Sequence, residues 1–315
     1  MKIISPDYYK EFKCIAGDCP DSCCQGWEVD ADEDSLEYYK TLSPELEIKR
    51  RIDSVLDKDE FGNTIFTLAK KKRCPFLNDE NLCDMHIAIG GEHTPMTCRN
   101  FPRFFHNFGG TREIGISFSC PVASKLIYNH KGHITFDEEI TDELPTLNDI
   151  DAETYFRLRK ERGRLLEIAQ DESISISERM LRMLEGYEDR EKTDNTEFFD
   201  VFNNPELINE EWRKKVANAD IKPILNSQAN ENILVYFLYK YFLYALEDGD
   251  ALGKIKMAVM GVLINSFFSN DEWSMHLWSK ETEHSQYNMD RYIRLLKEAK
   301  YLSKDNLIKL IKSEK

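Results

Sequence analysis

All eight cysteines of this 315-residue chain fall within its first 120 residues. Cys14, Cys19, Cys23 and Cys24 stand in CIAGDCPDSCC, Cys74 and Cys83 in CPFLNDENLC, Cys98 in TCRNFPRF and Cys120 in SCPV. Inert buried thiols would be scattered along a chain. A cluster of thiolates is the ligand set that soft metals and iron–sulfur clusters select. The N-terminal third is therefore expected to be built around a metal centre. Disulfides are the competing explanation, and the adjacent pair Cys23–Cys24 could serve two bridges. The opening MKIISPDYYKEFK argues against them, because it has no apolar h-region and no small-residue cleavage site. A cytoplasmic address, where thiols stay reduced, is the expectation.

The spacing narrows the chemistry. Zinc fingers and ribbons show two short C-x2–4-C pairs. Here the order is C-x4-C-x3-C-C, then C-x8-C, then x14-C and x21-C. Eight thiols suffice for two four-thiolate sites. Adjacent residues seldom both point at one ion, so Cys23 and Cys24 either serve different sites or only one of them ligates. An iron–sulfur cluster accepts wide ligand separations, which puts it ahead of zinc on spacing, with zinc as the alternative. His86 and His93 lie between Cys83 and Cys98 and are either substitute ligands or hydrogen-bonded loop residues. The C-x3-C-x2-C arrangement of radical S-adenosylmethionine enzymes is missing, since Cys19-x3-Cys23 is followed by Gly26 at the required position. No G-x-G-x-x-G loop occurs either.

Charge excludes one class of partner. Lys plus Arg total 42 against 57 Asp plus Glu, a net charge of −15, and an acidic surface repels a phosphate backbone. Nucleic acid is not an expected partner. Nor is a membrane: the most apolar run, Ile233 to Leu246, is interrupted by Lys240 and falls short of the about 20 residues a spanning helix needs. Tyr236, Phe237, Tyr239, Tyr241, Phe242 and Tyr244 crowd this run on every helical face. Core packing is the plain expectation, and a pocket-lining tyrosine or a cation–π face is the functional alternative.

The pattern predicts an α+β chain, mainly helical. A Cys-rich region with irregular loops and a few short strands spans 1–136, an acidic linker 137–149, and a helical domain 150–315. Ile114, Ile116 and Phe118 alternate as in a half-buried strand, and Asn63–Leu68 is expected to pair with it or with 133–136. Tyr155, Leu158, Leu165, Leu166 and Ala169 share one face of a helix. Ser175 and Glu178 form a capping-box pair ahead of a run that Gly186 ends. Further helices are expected over 206–218, 230–247, 250–269, 278–300 and 304–313, the last capped by Ser303.

Taken together, the CC pair, C-P-F-L, a second cysteine nine residues on and C-R-x-F-P resemble a family of zinc- or iron-chelating cysteine-cluster proteins, over about residues 14–105. The first spacings here are slightly longer than the C-x3-C-x2-C-C common in that group. YFLYKYFLYALEDGD, IKMAVMGVLINSFF and SKETEHSQYN resemble the C-terminal half of the flagellin lysine N-methylase family, in which an E-H-S-x-x-N element follows paired apolar helices. The resemblance implies methyl transfer from S-adenosylmethionine to lysine amines of flagellin, with an iron–sulfur cluster, 4Fe–4S in type, held by the N-terminal cysteines. Glu283, His284 and Asn288 carry the E-H-S-x-x-N element, and a carboxylate or histidine there could deprotonate or aim the amine. Asn288 is expected to share a helix face with His284. Glu283 and His284 are expected to serve turnover and not the fold. Arg99 and Arg103 are expected to donate to cluster sulfurs or a cofactor carboxylate, with a surface ion pair as the alternative. A non-catalytic metal-binding protein with a helical interaction platform is the rival function.

Overall fold

The computed structural model describes residues 1–59, 62–145, 150–204 and 206–312. Its strands are β1 (Lys2–Pro6), β2 (Val29–Asp30), β3 (Leu56–Lys58), β4 (Thr64–Phe66), β5 (Arg103–Phe108), β6 (Thr111–Ile116) and β7 (Phe136–Ile140). The first helices are short: α1 (Glu33–Thr41), α2 (Glu47–Val55), α3 (Asp84–Ile89), α4 (Met96–Asn100) and α5 (Pro121–Tyr128). Then come α6 (Ala152–Ala169), α7 (Ile176–Leu184), α8 (Glu210–Ala217), α9 (Gln228–Tyr241) and α10 (Ala245–Asp248). The chain closes with α11 (Ala251–Phe267), α12 (Glu272–Glu283), α13 (Gln286–Glu298) and α14 (Lys304–Lys312). The class is α+β and mainly helical, as the pattern predicts. Among the described residues no helix is long and apolar enough to cross a membrane.

The chain divides into two compact units. One, the cysteine unit, is Lys13–Phe104 with Cys120–Val122, and it contains all eight cysteines. The other, the helical unit, is Met1–Phe12, Phe105–Ser119 and Ala123–Lys315.

In the cysteine unit, β2, β4 and β3 pair antiparallel in that order. Thr64–Phe66 therefore pairs within its own unit and not with 114–118 or 133–136. The physical reason is local: β3 and β4 form a hairpin with Asp57 opposite Ile65, and closing a short loop costs little entropy. Val29, Tyr39, Ile48, Ile52, Phe66, Phe76 and Met85 make a small core under this sheet and α1–α3.

The helical unit carries a sheet in the order β5-β6-β1-β7, with β1 parallel to β6 and antiparallel to β7. The acidic segment expected as a linker contributes β7 in its first residues, where Asp137 to Ile140 register with Ser5 to Lys2. An edge strand facing water tolerates that charge, and Lys2 pairs with Glu138 at 2.6 Å. The rest of that segment, 146–149, lies outside the described residues. Buried Arg162 of α6 pairs with buried Glu113 of β6, one bond being 2.6 Å.

Caps set the helix ends as read from sequence. Ser175 accepts from the Glu178 N–H at 3.2 Å and Ser303 from the Asn306 N–H at 3.3 Å. The expected 206–218 helix begins later, at Glu210, because Asn209 accepts from the Glu211 N–H at 2.8 Å. The expected 278–300 helix is two helices, since Ser285 starts a new one by accepting from the Asn288 N–H at 3.1 Å.

At the centre of the helical unit α9 packs on α11. Tyr236, Phe237, Tyr239, Tyr241 and Phe242 are buried, so the aromatic crowd is mainly core. Gly261 of α11 permits the approach: a Cβ there would lie 2.3 Å from a ring carbon of Phe237 and 3.0 Å from Ile233. Both neighbours are fully enclosed. Gly261→Ala is expected to overpack the crossing and destabilise the fold by ~1–3 kcal/mol. The denaturation midpoint measures this, and an unchanged midpoint would mean that the ring yields.

Candidate metal centre and candidate active site

The stretch CPFLNDENLCDMH folds into a tight hairpin that presents two sulfurs. Pro75 sits inside the turn, closed by the Leu77 N–H on the Cys74 carbonyl at 3.1 Å. Asn78 Oδ1 accepts from the N–H groups of Glu80 and Leu82 at 3.0 and 2.9 Å, and the chain returns with Leu77 opposite Cys83. The two cysteines then repeat one local arrangement. The Cys83 Sγ accepts from the His86 N–H at 3.4 Å, and the N–H groups of Phe76 and Leu77 near Cys74 and of Met85 near Cys83 pull the two thiols toward their charged form. Backbone N–H groups two and three residues on favour a thiolate in both cases. Cys83 is at the same time the N-cap of α3.

Cys24 joins this hairpin through its carbonyl, which accepts from the Cys74 N–H at 2.8 Å. Cys98 lies on α4, whose start is tied to α1 by Asp32: its carboxylate accepts from Met96 N–H at 2.6 Å and from the Ser35 hydroxyl at 2.8 Å. The charges of Cys24, Cys74, Cys83 and Cys98 act on one another in every pairing. Burial first, then these neighbours, push the Cys74 thiol up to about 12 and raise Cys83 and Cys98 as well, although Cys98 keeps exposed surface. Four such thiols cannot ionise together without a cation among them. Among the described residues no three cysteine sulfurs lie within 4.8 Å of one another, so these four would have to draw together to hold zinc, and their wider spacing suits an iron–sulfur cluster better.

The other four cysteines are less bound together. Cys23 hydrogen-bonds Cys24, which with burial raises its thiol, and it also feels Cys98 and Cys14. Cys14 is exposed and accepts from the Ala16 N–H at 3.4 Å, while Cys19 donates to the Asp21 carbonyl at 3.2 Å. Cys120 is buried within the cysteine unit. Cys23 is thus coupled to its neighbour Cys24 and to Cys98 ahead of Cys14.

Arg99 spends its guanidinium on the loop before α4, donating to the carbonyls of Thr94 and Glu92 at 2.5 and 3.0 Å. Arg103 opens β5 and is half-buried. His93 stacks on Tyr38 with ring centroids 3.7 Å apart, and the ring of His86 lies against Gly91.

In the helical unit, the E-H-S-x-x-N element straddles the break between α12 and α13. Glu283 ends α12, and its side chain is only 2% exposed. It accepts from Lys240 Nζ at 2.8 Å, the Ser117 hydroxyl at 3.0 Å and the Tyr236 hydroxyl at 3.2 Å, and from the hydroxyls of Tyr241 and Ser279. Burial opposes its charge, but Lys240 and these donors outweigh it and hold the carboxyl below its usual range. The Lys240 ammonium also reaches the Tyr236 hydroxyl at 3.1 Å and lies 5.1 Å from the Tyr241 ring centroid.

His284 is partly exposed, and its Nε2 is 2.7 Å from the Ser119 hydroxyl. Burial, then the positive charge of Lys240, push its pKa down to about 4. The imidazole is therefore neutral near pH 7 and able to accept a proton. Asn288 is on a different helix from His284, so the two do not share a helix face. Its buried amide donates to the carbonyls of Glu206 and Glu281, both at 2.8 Å, and holds the 206–209 loop. Glu283 and Asn288 thus have clear packing roles. Sequence reading missed Lys240, Tyr236, Tyr241, Ser117, Ser119 and Ser279 as a group. The one visible signal was a lysine in the middle of an apolar run.

No protein-family model matches the chain, and no solved structure does. It is similar to the flagellar biosynthetic protein FliU of Salmonella muenchen, 23% identical over 142 residues, which is 44% of this chain and 84% of that protein. It is similar at the same identity and length to the lysine-N-methylases of Salmonella typhimurium and Salmonella choleraesuis, where the matched stretch covers 35% of each protein.

Proposed function

We propose that this chain transfers methyl groups from S-adenosylmethionine to lysine side chains of flagellin, in the cytoplasm. The similarity to proteins named lysine-N-methylase and to a flagellar biosynthetic protein carries this reading. Cys24, Cys74, Cys83 and Cys98 would hold an iron–sulfur cluster, or zinc in its place, with Cys14, Cys19, Cys23 and Cys120 as further thiols. When bound, S-adenosylmethionine supplies an electrophilic methyl and a thiolate-held cluster supplies a redox-capable, structure-ordering centre.

The residues of the chain have a definable task. A free lysine has a pKa of about 10.4, so at neutral pH its amine must lose a proton before it can attack a methyl group. His284 is neutral, partly open to solvent and held by Ser119, which suits it to take that proton. Glu283 is saturated by five donors and is poorly suited to act as the base itself. Its part is to hold Lys240, Tyr236 and Tyr241 in place.

Incubating the metal-loaded protein with S-adenosylmethionine and flagellin from the same source should add ~14 Da per methyl to flagellin lysines. Mass spectrometry with and without the cofactor reads the result. Flagellin left unmodified by metal-loaded protein that binds the cofactor would overturn the methylase reading and leave a metal-binding protein with a helical platform.

A further inference from the structure

We propose that the cavity between the 187–192 segment, the first turn of α11 and the end of α13 binds the head group of an α-amino acid, its carboxylate on Lys192 and Lys297 and its ammonium on Asp250. The head group comes from a free amino acid or from the methionyl end of S-adenosylmethionine. Only the second source rests on the proposed methyl transfer.

The cavity lies within the helical unit and encloses about 180 Å³. One water takes roughly 30 Å³, and a pocket for a whole drug-sized ligand takes ~300–1,000 Å³. The space therefore suits a head group or a small amino acid. Its walls carry ammonium groups far from bulk water: Lys192 and Lys256 are 9% and 1% exposed, and both pair with the same carboxylate, Asp189. An ammonium has three N–H donors and no acceptor. Lys256 uses all three, on the two Asp189 oxygens at 2.8 and 3.0 Å and on the Leu296 carbonyl at 3.3 Å. Lys192 uses two, on Asp189 and on the Lys297 carbonyl, both at 2.6 Å. Lys297 uses one, on Asp248 at 3.0 Å, and that carboxylate is shared with Lys254 at 2.7 Å. Among the described residues Lys192 and Lys297 thus keep N–H donors for an anion. The first turn of α11 also lines the cavity, and a helix N-terminus favours a carboxylate.

Asp250 makes the opposite demand. As the cap of α11 it accepts from the Gly253 N–H through Oδ1 at 3.0 Å. Its Oδ2 is buried and, among the described residues, has no hydrogen-bond donor. Lys297 Nζ stands 3.9 Å from it, an ion pair beyond hydrogen-bond reach. Gly253 makes room for this oxygen, since a Cβ there would lie 2.2 Å from it. A buried carboxylate oxygen without a donor is costly, so a donor belongs beside it. Spare donors and a spare acceptor thus stand a few ångströms apart in one small cavity. A molecule that offers a carboxylate and an ammonium on one carbon answers both. The remaining charged lining residues, Glu188 and Arg190, are exposed and opposite in sign.

The test is titration calorimetry on the full, metal-loaded chain with L-methionine and with S-adenosylhomocysteine. At least one of the two should bind saturably. Methionine methyl ester, which lacks the carboxylate, and N-acetylmethionine, which lacks the ammonium, should each bind about tenfold or more weakly than methionine. Asp250→Asn keeps the helix cap but removes the anionic acceptor, and Lys297→Met removes a donor whose partner Asp248 still has Lys254. Each variant should weaken binding by about tenfold at an unchanged melting temperature, and either one decides the matter where the other does not fold. Parallel weakening of S-adenosylhomocysteine assigns the head group to the cofactor; weakening of methionine alone assigns it to a free amino acid. No binding of either probe at millimolar concentration would mean that the cavity holds only water, and would overturn the inference. Binding indifferent to the ester, to the acetyl group or to both folded variants would overturn it as well. Flagellin methylated by a chain whose cavity fails these tests leaves the proposed function standing. Flagellin left unmodified by a chain that passes them sinks that function and leaves the site.

Discussion

Cys24→Ser and Cys74→Ser are each expected to strip the metal and unfold the cysteine unit, while Cys14→Ser leaves both largely intact. Cys24 and Cys74 belong to the four mutually coupled sulfurs, whereas Cys14 is exposed at the edge of the group. The unit's own apolar core is small, and small cores need staples. For a structural four-thiolate site the apparent binding free energy is about 10–16 kcal/mol, and binding energy of this kind is folding energy. Serine keeps the size of the side chain but supplies a poor metal ligand. Elemental analysis for iron, zinc and sulfide gives the metal content. Hydrogen exchange over residues 13–104 gives the order of the unit. Equal protection in metal-loaded and metal-stripped protein would overturn the expectation, and so would metal loss in Cys14→Ser as complete as in Cys74→Ser.

Glu283→Ala is expected to destabilise the helical unit by ~3–5 kcal/mol, because it leaves the Lys240 ammonium buried without a counter-charge. The sign of the pH dependence follows from the carboxyl being held below its ordinary range. Its contribution is present above the unfolded carboxylate pKa and is lost as pH falls through the lower, folded value. The difference in stability between wild type and Glu283→Ala should therefore narrow on acidification. Pairing the change with Lys240→Met should recover part of the loss, since the stranded charge is then removed as well. Denaturant melts of the two single variants and the double variant measure the coupling. Additive losses would show that the pair does not interact in the folded protein.

These two results bear on different layers of information. The turn that joins Cys74 to Cys83 was legible because it is local. Pro75 and Asn78 shape the turn between Cys74 and Cys83, and the His86 N–H three residues on caps the Cys83 sulfur whatever the rest of the chain does. The caps Ser175, Ser285 and Ser303 act over three residues, and hydrophobic spacing marks a buried helix face. The break at Ser285 was not legible because the polar stretch 279–286 is as compatible with a continuous helix as with two, and a single capping hydrogen bond decides between them.

What the sequence by itself determined is the class of chain: thiols crowded at one end, a helical remainder, an acidic surface and a lysine inside an apolar run. What only the tertiary structure decided is which of these groups meet. Glu283 draws Lys240 from 43 residues away and Ser117 from 166 away. Cys24 is matched to Cys74, Cys83 and Cys98, and Thr64–Phe66 to its own hairpin in place of a distant strand. Periodicity states which face of an element is buried, but it is silent on what that face is buried against. The pairing is settled by long-range packing, where a buried charge must find its partner or neutralise.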